Sequence, residues 1–336
     1  MTMLDRRQFL AASAILFAAR PAFAQSRPVS IALDWTPNTN HIGLFAAQAK
    51  GFYAEAGLDI SILPYSDTAA GTLVANHVAD FGILSALALF TQRSAGADLV
   101  ATYAISQTET GRIVFNAGRT DIQRPKDLDG KIYGGFGSDW EKALIGSIIR
   151  NDGGTGTFET MTLGTSAYEA LANGAVDFTL EVYTWEGVKA ELDGKPQRSF
   201  RYADFGVPDQ HPNFIASSRS YLDKNQQLAA DFITATKRGY AFAVDHPDEA
   251  TDMLIAANSD ALTDRTLVRA SLQALIDGHY LKSADGTVGT IDPAKVEAMG
   301  DYLFNAGILR DGNGEPIRDK PDFSLYYTNE YQSERL

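Results

Sequence analysis

Residues able to recognise a flat, nitrogen-containing ring occur together in residues 34–41, which read DWTPNTNH. Asp34 accepts hydrogen bonds from ring or exocyclic N–H groups, and charge-assisted bonds of this kind are about twice as strong as neutral ones. Trp35 offers a face on which a ring stacks, worth ~0.5–1.5 kcal/mol beyond area burial. A helix is expected to begin near Asn38 and His41, where free backbone N–H groups donate to a ligand oxygen. The same residues also fit a capped helix with the indole in the core, and their types alone leave both interpretations open.

Glycines and a capping serine form a second candidate, residues 134–141, which read GGFGSDWE. Gly135 and Gly137 let the backbone approach a ligand closely, and the helix start from Ser138 to Glu141 can hold polar substituents. A dinucleotide-binding fingerprint fits poorly, because its third glycine is missing. We therefore favour a ligand-binding loop over a purely structural turn.

A third candidate, residues 181–187, reads EVYTWEG and follows a predicted strand. Strand alternation places Glu181, Tyr183 and Trp185 on one face. A buried aromatic cluster is the alternative interpretation of the same three side chains.

Single polar residues at other predicted boundaries add weaker candidates. Ser66 and Ser85 follow predicted strands, and each can contribute one hydrogen bond to a ligand, although each also fits a cap or a turn. His211 lies near a predicted crossing between domains, and we expect it on the surface of a hinge rather than in the ligand site.

Two consecutive series of alternating strands and helices run along the chain, which is typical of mostly parallel sheets covered by helices. The first series occupies residues 28–110 and the second residues 111–219, with predicted strands at 201–205 and 213–217 completing the second sheet. The remaining pattern is helical, and we assign 220–336 to the first unit. The sequence therefore predicts two α/β lobes, the second inserted in the first, with ligands bound in the cleft at the strand ends.

The composition indicates an ordinary globular protein that does not bind nucleic acid. The chain has 336 residues, 45% of them hydrophobic, a formal net charge of -13 and no cysteine. An acidic surface disfavours nucleic acids and anionic membranes. The lack of cysteine excludes disulfides, thiol nucleophiles and cysteine-ligated metals, and the five histidines are scattered without metal-binding spacing. We expect no cofactor and no bound metal.

Residues 1–24 have the pattern of an export signal. Arg6 and Arg7 precede an apolar run of 11 residues, which is shorter than the ~20 residues that span a bilayer. The triplet AFA that ends at Ala24 fits a signal peptidase site. We expect cleavage after Ala24 and localisation in the periplasm, with export by the twin-arginine route and a general secretory signal as the alternative.

The opening motif resembles the start of the thiamine-pyrimidine family of binding proteins and synthases. Residues 34–63 carry the match, in which DWTPNTNH is followed by IGLFAAQAKGFY. It continues more loosely through residues 134–138 and 177–187. The resemblance implies a type II periplasmic-binding-protein fold, with two α/β lobes, two crossovers and a ligand cleft that Tyr183 and Trp185 cover. It also implies a monomer that delivers a thiamine pyrimidine precursor, hydroxymethylpyrimidine or formylaminopyrimidine, to the permease and ATPase of an ABC importer.

Other proteins related to this family leave further functions open. Related exported proteins bind riboflavin, more distant ones bind sulfonates or nitrate, and a sensor subunit of the same fold is a further alternative. Pyrimidine-binding members tend to have an apolar residue where this chain has Glu181, which puts the ligand in question. The synthases carry Lys and, four residues later, His after an Asp-x-Gly strand, where this chain has Leu84 and Ala88, and their cysteine-rich motif is absent. We therefore expect a binding protein and not an enzyme.

Overall fold

Two five-stranded sheets form the centres of two α/β lobes in the computed structural model, which describes residues 26–332. The expected export signal, residues 1–24, lies outside the described residues. The strands are β1 (Arg27–Ala32), β2 (Leu58–Leu63), β3 (Phe81–Ser85), β4 (Val100–Ala104), β5 (Gly111–Asn116), β6 (Ile132–Gly135), β7 (Glu159–Thr162), β8 (Phe178–Val182), β9 (Gln197–Arg201) and β10 (Asn213–Ser217).

Twelve α-helices within the described residues cover the sheets. They are α1 (Ile42–Ala49), α2 (Phe52–Glu55), α3 (Ala70–Ala75), α4 (Ala86–Ser94), α5 (Asp139–Asn151), α6 (Ala167–Ala172), α7 (Val188–Leu192), α8 (Arg219–Lys224), α9 (Gln226–Asp245), α10 (Pro247–Ala257), α11 (Arg265–Asp277) and α12 (Pro293–Asn305). None of these helices is both long enough and apolar enough to cross a membrane.

The order of the strands shows how the chain passes between the lobes. The first sheet has the order β2-β1-β3-β10-β4, and the second has the order β7-β6-β8-β5-β9. In each sheet one strand runs antiparallel to both of its neighbours, β10 in the first and β5 in the second. These two strands are the ones that the chain enters directly from the other lobe. The chain reaches β5 through residues 105–110 and β10 through residues 202–212.

The strand predicted at residues 213–217 is confirmed, but its assignment to the second sheet is wrong, and so is the strand predicted at residues 201–205. Residues 213–217 form β10, which pairs with β3 and β4 of the first sheet. Residues 201–205 do not form a strand, because β9 stops at the first of them and a 3-10 turn, Tyr202–Phe205, follows. The chain therefore leaves the second lobe through residues 202–212, earlier than the boundary predicted at residue 219. The local sequence of a short apolar strand does not indicate which sheet the strand joins. Its pairing partners determine the sheet.

Both faces of the first sheet are buried. Along β3, Phe81 and Ile83 belong to the core cluster under α1 and α9, while Leu84 belongs to the cluster under α4 and α12. Each of these side chains is at most 2% exposed. Burying a side chain of this size contributes about 1.5–3 kcal/mol. The continuous apolar run thus places β3 in the middle of a sheet that helices cover on both sides.

Helix α1, which begins just after the DWTPNTNH motif, packs very closely against α9. A Cβ atom at Gly43 would lie 2.2 Å from ring atoms of Tyr240, and one at Gly239 would lie 2.0 Å from the carbonyl oxygen of Gly43. The buried hydroxyl of Tyr240 donates to the carbonyl oxygen of Asn40 at 2.6 Å. The two glycines therefore let α9 hold the start of α1, and with it the motif, in position.

Gly43→Ala should lower the free energy of unfolding by about 1–3 kcal/mol, the usual cost of overpacking a filled interior. Gly118→Ala is the matched control, because a Cβ atom there meets nothing within 4 Å, and we expect it to change stability by less than about 0.5 kcal/mol. Urea unfolding of both variants measures the difference. Equal stability of the two variants would contradict the close contact between α1 and α9.

Candidate functional site

A cavity of about 310 Å³ lies between the lobes, beside the two segments at which the chain crosses, residues 105–110 and 202–212. Strands β3, β6 and β8 all end at this cavity, as expected for a ligand site in α/β lobes. Its lining residues are Ser85, Ala86, Leu87, Asn213 and Met299 from the first lobe, Gly111, Tyr133, Gly135, Phe136, Trp140, Glu141, Leu144, Gly164, Tyr168, Thr179, Leu180, Glu181 and Val182 from the second, and Glu109, Thr110, Tyr202, Gln210 and Pro212 from the crossing segments.

Polar contacts tie the two crossing segments to each other. Asp209 accepts hydrogen bonds from the hydroxyl of Thr108 at 2.5 Å, the backbone N–H of Glu109 at 2.9 Å and the ammonium group of Lys295 at 2.6 Å. The side-chain amide of Gln210 donates to Glu109. Burial acts to raise the pKa of Asp209, but these hydrogen bonds and the Lys295 charge outweigh it and lower that pKa. The crossing segments therefore form one connected hinge that holds Asp209 as a carboxylate.

His211 is buried in this hinge, so the prediction of a surface position is wrong. The residue is 2% exposed. Its Nε2 accepts the backbone N–H of Asp292 at 2.9 Å, so Nδ1 carries the proton and donates it to the carbonyl oxygen of Ser106 at 3.0 Å. Burial lowers the pKa of His211, which favours this neutral form. His211 thus joins the hinge to the start of α12 and does not line the cavity.

The polar residues of the DWTPNTNH motif bind one another. The side chain of Asn38 accepts the backbone N–H of Asn40 at 2.9 Å. The backbone N–H of Asn38 donates to Nδ1 of His41 at 3.3 Å, so His41 carries its proton on Nε2 and donates it to Asp34 at 2.9 Å. The other carboxylate oxygen of Asp34 accepts from the side-chain amide of Asn213 at 3.3 Å. Asp34, Asn38 and His41 therefore brace the end of β1 against α1 and β10, and none of the three lines the cavity.

Trp35 and Ser66 lie further out on the first lobe. Trp35 is 42% exposed, and its ring centre is 5.1 Å from that of Tyr65. It also lines an outer groove of about 970 Å³, whose other lining residues lie on the second lobe and include Trp185 and residues of α6 and α7. Ser66 is exposed, and its hydroxyl donates to the carbonyl oxygen of Thr68 at 3.1 Å in a turn. The indole of Trp35 is therefore accessible to a ligand, whereas Ser66 stabilises its own loop.

The GGFGSDWE loop folds around the carboxylate of Glu141. One oxygen accepts the backbone N–H of Ser138 at 2.7 Å and its hydroxyl at 2.9 Å. The other accepts the hydroxyl of Tyr133 at 2.7 Å and the backbone N–H of Phe136 at 3.1 Å. Glu141 lines the cavity with its hydrogen-bonding capacity already filled, so its main role is to shape the loop.

Two glycines and a serine set the backbone next to the cavity. Gly135 lines it, and a Cβ atom there would lie 1.8 Å from the hydroxyl of Tyr133. Gly137 has φ of +73°, a conformation that favours glycine, and lies outside the lining. In the first lobe Ser85 lines the cavity while its hydroxyl accepts the backbone N–H of Ala88 at 3.1 Å, which caps α4.

Glu181 is the cavity carboxyl group whose hydrogen bonds are not filled. The residue is 6% exposed, and its Oε2 is buried without a hydrogen-bond partner. Burial raises the pKa of Glu181 to about 7, with the charge of Arg112 acting against this rise and that of Glu186 adding to it. A buried carboxyl group with an unpaired oxygen is suited to a ligand that brings an N–H group.

The predicted strand alternation after Glu181 is wrong, because β8 stops one residue later. Tyr183–Gly187 form a π-helical turn, so Tyr183 and Trp185 do not share a strand face with Glu181. The guanidinium carbon of Arg112 lies 3.5 Å from the ring centre of Tyr183. Trp185 packs against the core of the first lobe and lines the outer groove. A two-residue alternation cannot continue through a helical turn, and the three side chains therefore point to different places.

Acidic side chains dominate the electrostatics of the cavity. Glu109, Glu141 and Glu181 line it, and within residues 26–332 no Lys, Arg or His does. Burial raises the pKa of Glu109, although the backbone N–H groups of Gly111 and Thr110 donate to it at 2.7 and 2.9 Å. In the same part of the chain no three His, Asp or Glu side chains are grouped as metal ligands. The cavity therefore favours a cation or a ring rich in N–H groups over an anion.

Several lining residues carry no motif that sequence reasoning could recognise. Glu109 and Gln210 lie in the crossing segments, so the predicted crossovers are the feature of the sequence that could have indicated them. Tyr168 of α6 lines both the cavity and the outer groove. Tyr202 lies in the 3-10 turn where a strand was expected. The packing of the two lobes brings these residues to the site, and no local sequence pattern predicts that packing.

Known proteins resemble this chain both in sequence and in fold. A family model described as NMT1/THI5 like matches residues 38–250. The formylaminopyrimidine-binding protein of Halalkalibacterium halodurans is 25% identical over 236 residues, which cover 69% of this chain and 71% of that protein. The 4-amino-5-hydroxymethyl-2-methylpyrimidine phosphate synthase of Legionella pneumophila is 24% identical over 254 residues, which cover 70% of this chain and 75% of that protein.

Among solved structures, the periplasmic aliphatic sulphonate binding protein SsuA of Escherichia coli matches with a TM-score of 0.67 at 15% sequence identity. The match covers 89% of this chain and 91% of that protein. At this identity the likeness establishes the fold alone, and the two-lobed binding-protein fold predicted from the sequence is confirmed.

Glu181 should make folding stability depend on pH. Its pKa is raised from 4.5 to about 7, so the native state holds this proton more tightly than the unfolded chain does. The stability that the proton contributes is present at low pH and is lost as the pH rises from about 4.5 through about 7. Glu181→Gln cannot ionise, and its free energy of unfolding should fall less between about pH 5 and pH 8 than that of the wild type, by roughly 2–3 kcal/mol.

Chemical denaturation across this pH range measures the two profiles. Glu159→Gln serves as the control, because Glu159 is exposed on β7 and its replacement should leave the wild-type profile in place. Parallel profiles for the wild type and Glu181→Gln would show that Glu181 does not retain its proton in the folded protein.

Proposed function

The chain belongs to the NMT1/THI5-like family, as its opening motif predicts, and on this premise we propose that it is the solute-binding protein of an ABC importer. Its ligand is a small planar heterocycle, a thiamine pyrimidine precursor such as hydroxymethylpyrimidine or formylaminopyrimidine. The protein acts as a monomer in the periplasm after export by a twin-arginine signal, and it hands the ligand to a permease with its ATPase.

The observation that carries this proposal is the mixture of carboxyl groups and aromatic rings around the cavity between the lobes. Its aromatic lining consists of Tyr133, Phe136, Trp140, Tyr168 and Tyr202. An aminopyrimidine offers a flat face to such rings, worth ~0.5–1.5 kcal/mol for a favourable pair. Its exocyclic N–H groups suit the neighbouring carboxyl groups, where charge-assisted hydrogen bonds form.

The size of the cavity supports a single-ring ligand. Its volume of about 310 Å³ lies at the lower end of the ~300–1,000 Å³ typical of small-molecule sites. A three-ring molecule such as riboflavin would have to extend into the outer groove past Tyr168. An alkanesulfonate would place its negative charge beside Glu109 and Glu181, which repel it.

Contacts between the lobes are consistent with a cleft that closes around its ligand. On one side Trp140 of α5 meets Tyr302 of α12 edge to face at 6.2 Å, and Ser147 shares a hydrogen bond of 2.5 Å with the Tyr302 hydroxyl. On the other side the turn Tyr183–Gly187 and α7 contact α11 of the first lobe. Contacts of this size can part and form again while the hinge stays connected, and a closed form presents both lobes together to a permease.

The side chains at two positions argue against catalysis of the synthase type. Leu84 is 2% exposed in the core, and Ala88 lies on α4; these are the positions where the resemblance places the Lys and His of the synthases. Neither side chain can form a Schiff base or transfer a proton, and the chain has no cysteine. Transport is therefore the function that we propose, rather than pyrimidine synthesis.

Calorimetric titration of the chain from Gln25 onward tests the ligand class. Hydroxymethylpyrimidine, formylaminopyrimidine, thiamine, riboflavin and an alkanesulfonate are the compounds to compare. We expect submicromolar binding of a pyrimidine precursor and much weaker binding of the sulfonate. Binding of riboflavin alone, or of none of these compounds, would rule out the pyrimidine assignment.

Phe136→Ala should weaken pyrimidine binding up to about tenfold, because Phe136 lines the cavity and is 57% exposed, and stacking on an aromatic ring is worth ~0.5–1.5 kcal/mol. Leu325→Ala is the control, since Leu325 is 56% exposed and lines neither the cavity nor the outer groove. The affinities of both variants are measured by the same titration. An unchanged affinity for Phe136→Ala would mean that Phe136 does not stack on the ligand.

A further inference from the structure

The carboxyl group of Glu181 packs closely against Gly187 on one side and has an unmet hydrogen bond. A Cβ atom at Gly187 would lie 2.9 Å from Oε1 of Glu181, so the glycine lets the carboxyl group lie against the π-helical turn. Oε2 of Glu181 is buried without a hydrogen-bond partner, although the residue lines the cavity. Folded proteins seldom leave a buried polar atom unpaired. The ligand is therefore the natural source of the missing partner.

The charged and titratable groups near Glu181 come from every element packed around it. Arg112 stands opposite Glu181 in the register of β5 and β8, but its guanidinium lies over the ring of Tyr183 and Arg112 does not line the cavity. The other groups are Glu186 of the π-helical turn, Glu191 of α7, Tyr168 of α6, Tyr202 of the second crossing segment, and Glu109 and Glu141 of the cavity wall. Acidic groups outnumber the single cation, so the surroundings favour a proton or a positive charge next to Glu181.

We propose that Glu181 and the ligand share one proton through a two-point contact. One carboxyl oxygen accepts an N–H from an exocyclic amino group of the ligand, and the other shares a proton with the adjacent ring nitrogen. This inference rests on the proposed function, because a 4-aminopyrimidine carries such a donor and such an acceptor side by side. Glu181 then determines specificity, selecting nitrogen heterocycles with an amidine-like edge and rejecting sulfonates and carboxylates.

The source of the shared proton depends on pH. The complex contains one shared proton, whether protonated Glu181 faces a neutral ring or ionised Glu181 faces a cationic ring. The number of protons taken up on binding is therefore the same in both cases. Above about pH 7 free Glu181 is ionised, and forming the complex takes up one proton from the solvent. As the pH falls through about 7, Glu181 already carries this proton and the uptake declines.

Calorimetric titration with hydroxymethylpyrimidine in two buffers of different ionisation enthalpy measures the proton uptake directly. For the wild type we expect close to one proton at about pH 8.5 and a small fraction of one at about pH 6.5, with affinity falling about tenfold per pH unit above 7. Tight binding without proton uptake at about pH 8.5 would overturn the inference and leave the proposed function in place. A failure of this compound to bind at any pH would overturn both.

Substitutions assign the proton to one carboxyl group. In Glu181→Gln an amide N–H replaces the acid O–H, so proton uptake and the pH dependence of affinity should both disappear, and at about pH 8.5 the variant should bind more tightly than the wild type. Glu181→Leu should lose at least about tenfold in affinity, because it supplies neither a donor nor an acceptor. Glu186→Gln is the matched control, since Glu186 is a neighbouring carboxyl group that lines the outer groove, and it should keep the uptake. Loss of uptake in Glu186→Gln but not in Glu181→Gln would overturn the assignment.

Discussion

The hydrogen bonds at Asp209 connect the two segments by which the chain passes between its lobes, and the rest of the site depends on this connection. Asp209 is partly buried, and removing a carboxylate from water is costly unless it is paired and hydrogen-bonded. Asp209 meets that requirement with Lys295, the hydroxyl of Thr108 and the N–H of Glu109. Because β5 and β10 follow directly after these segments, the same contacts fix where these two strands enter their sheets. The cavity lies where the strand ends of both sheets come together, so its shape follows from the hinge.

Each lobe uses one carboxylate to hold the loop that follows its first parallel strand. Asp34 does this after β1 with His41 and Asn213, and Glu141 does it after β6 with the hydroxyl of Tyr133 and the N–H groups of Ser138 and Phe136. In both carboxylates each oxygen already accepts a hydrogen bond from the protein. They are positioning residues, and the task of binding polar ligand atoms falls to groups that the protein leaves unpaired.

Glu181 is such a group. Its buried, unpaired carboxyl group lowers the stability of the free protein, and the same group is available to bind a ligand. Its neighbours Glu186 and Glu191 act with burial to disfavour a charge on it, while Arg112 acts the other way. Titratable groups perturbed in this manner are commonly found at functional sites. A ligand that contributes an N–H group relieves the cost, so part of the binding free energy comes from a destabilising feature of the free protein. The same feature disfavours anions, which separates this cavity chemically from one built for a sulfonate.

Local patterns in the sequence determined the strand and helix series, the two-lobed architecture, and the motif that identifies the family. These features depend on residues close together in the chain, and the helical pattern predicted for residues 220–336 is confirmed by α9 to α12. Tertiary structure alone decided that residues 213–217 pair with β3, that His211 is buried, and that Asp34 is already occupied by Asn213, 179 residues away. It also decided that Glu181 faces the cavity without a hydrogen-bond partner while Tyr183 and Trp185 turn away from it. These outcomes depend on which residues, far apart in the sequence, come within hydrogen-bonding distance in the fold. The residues next to a given position in the sequence do not indicate such a distant partner.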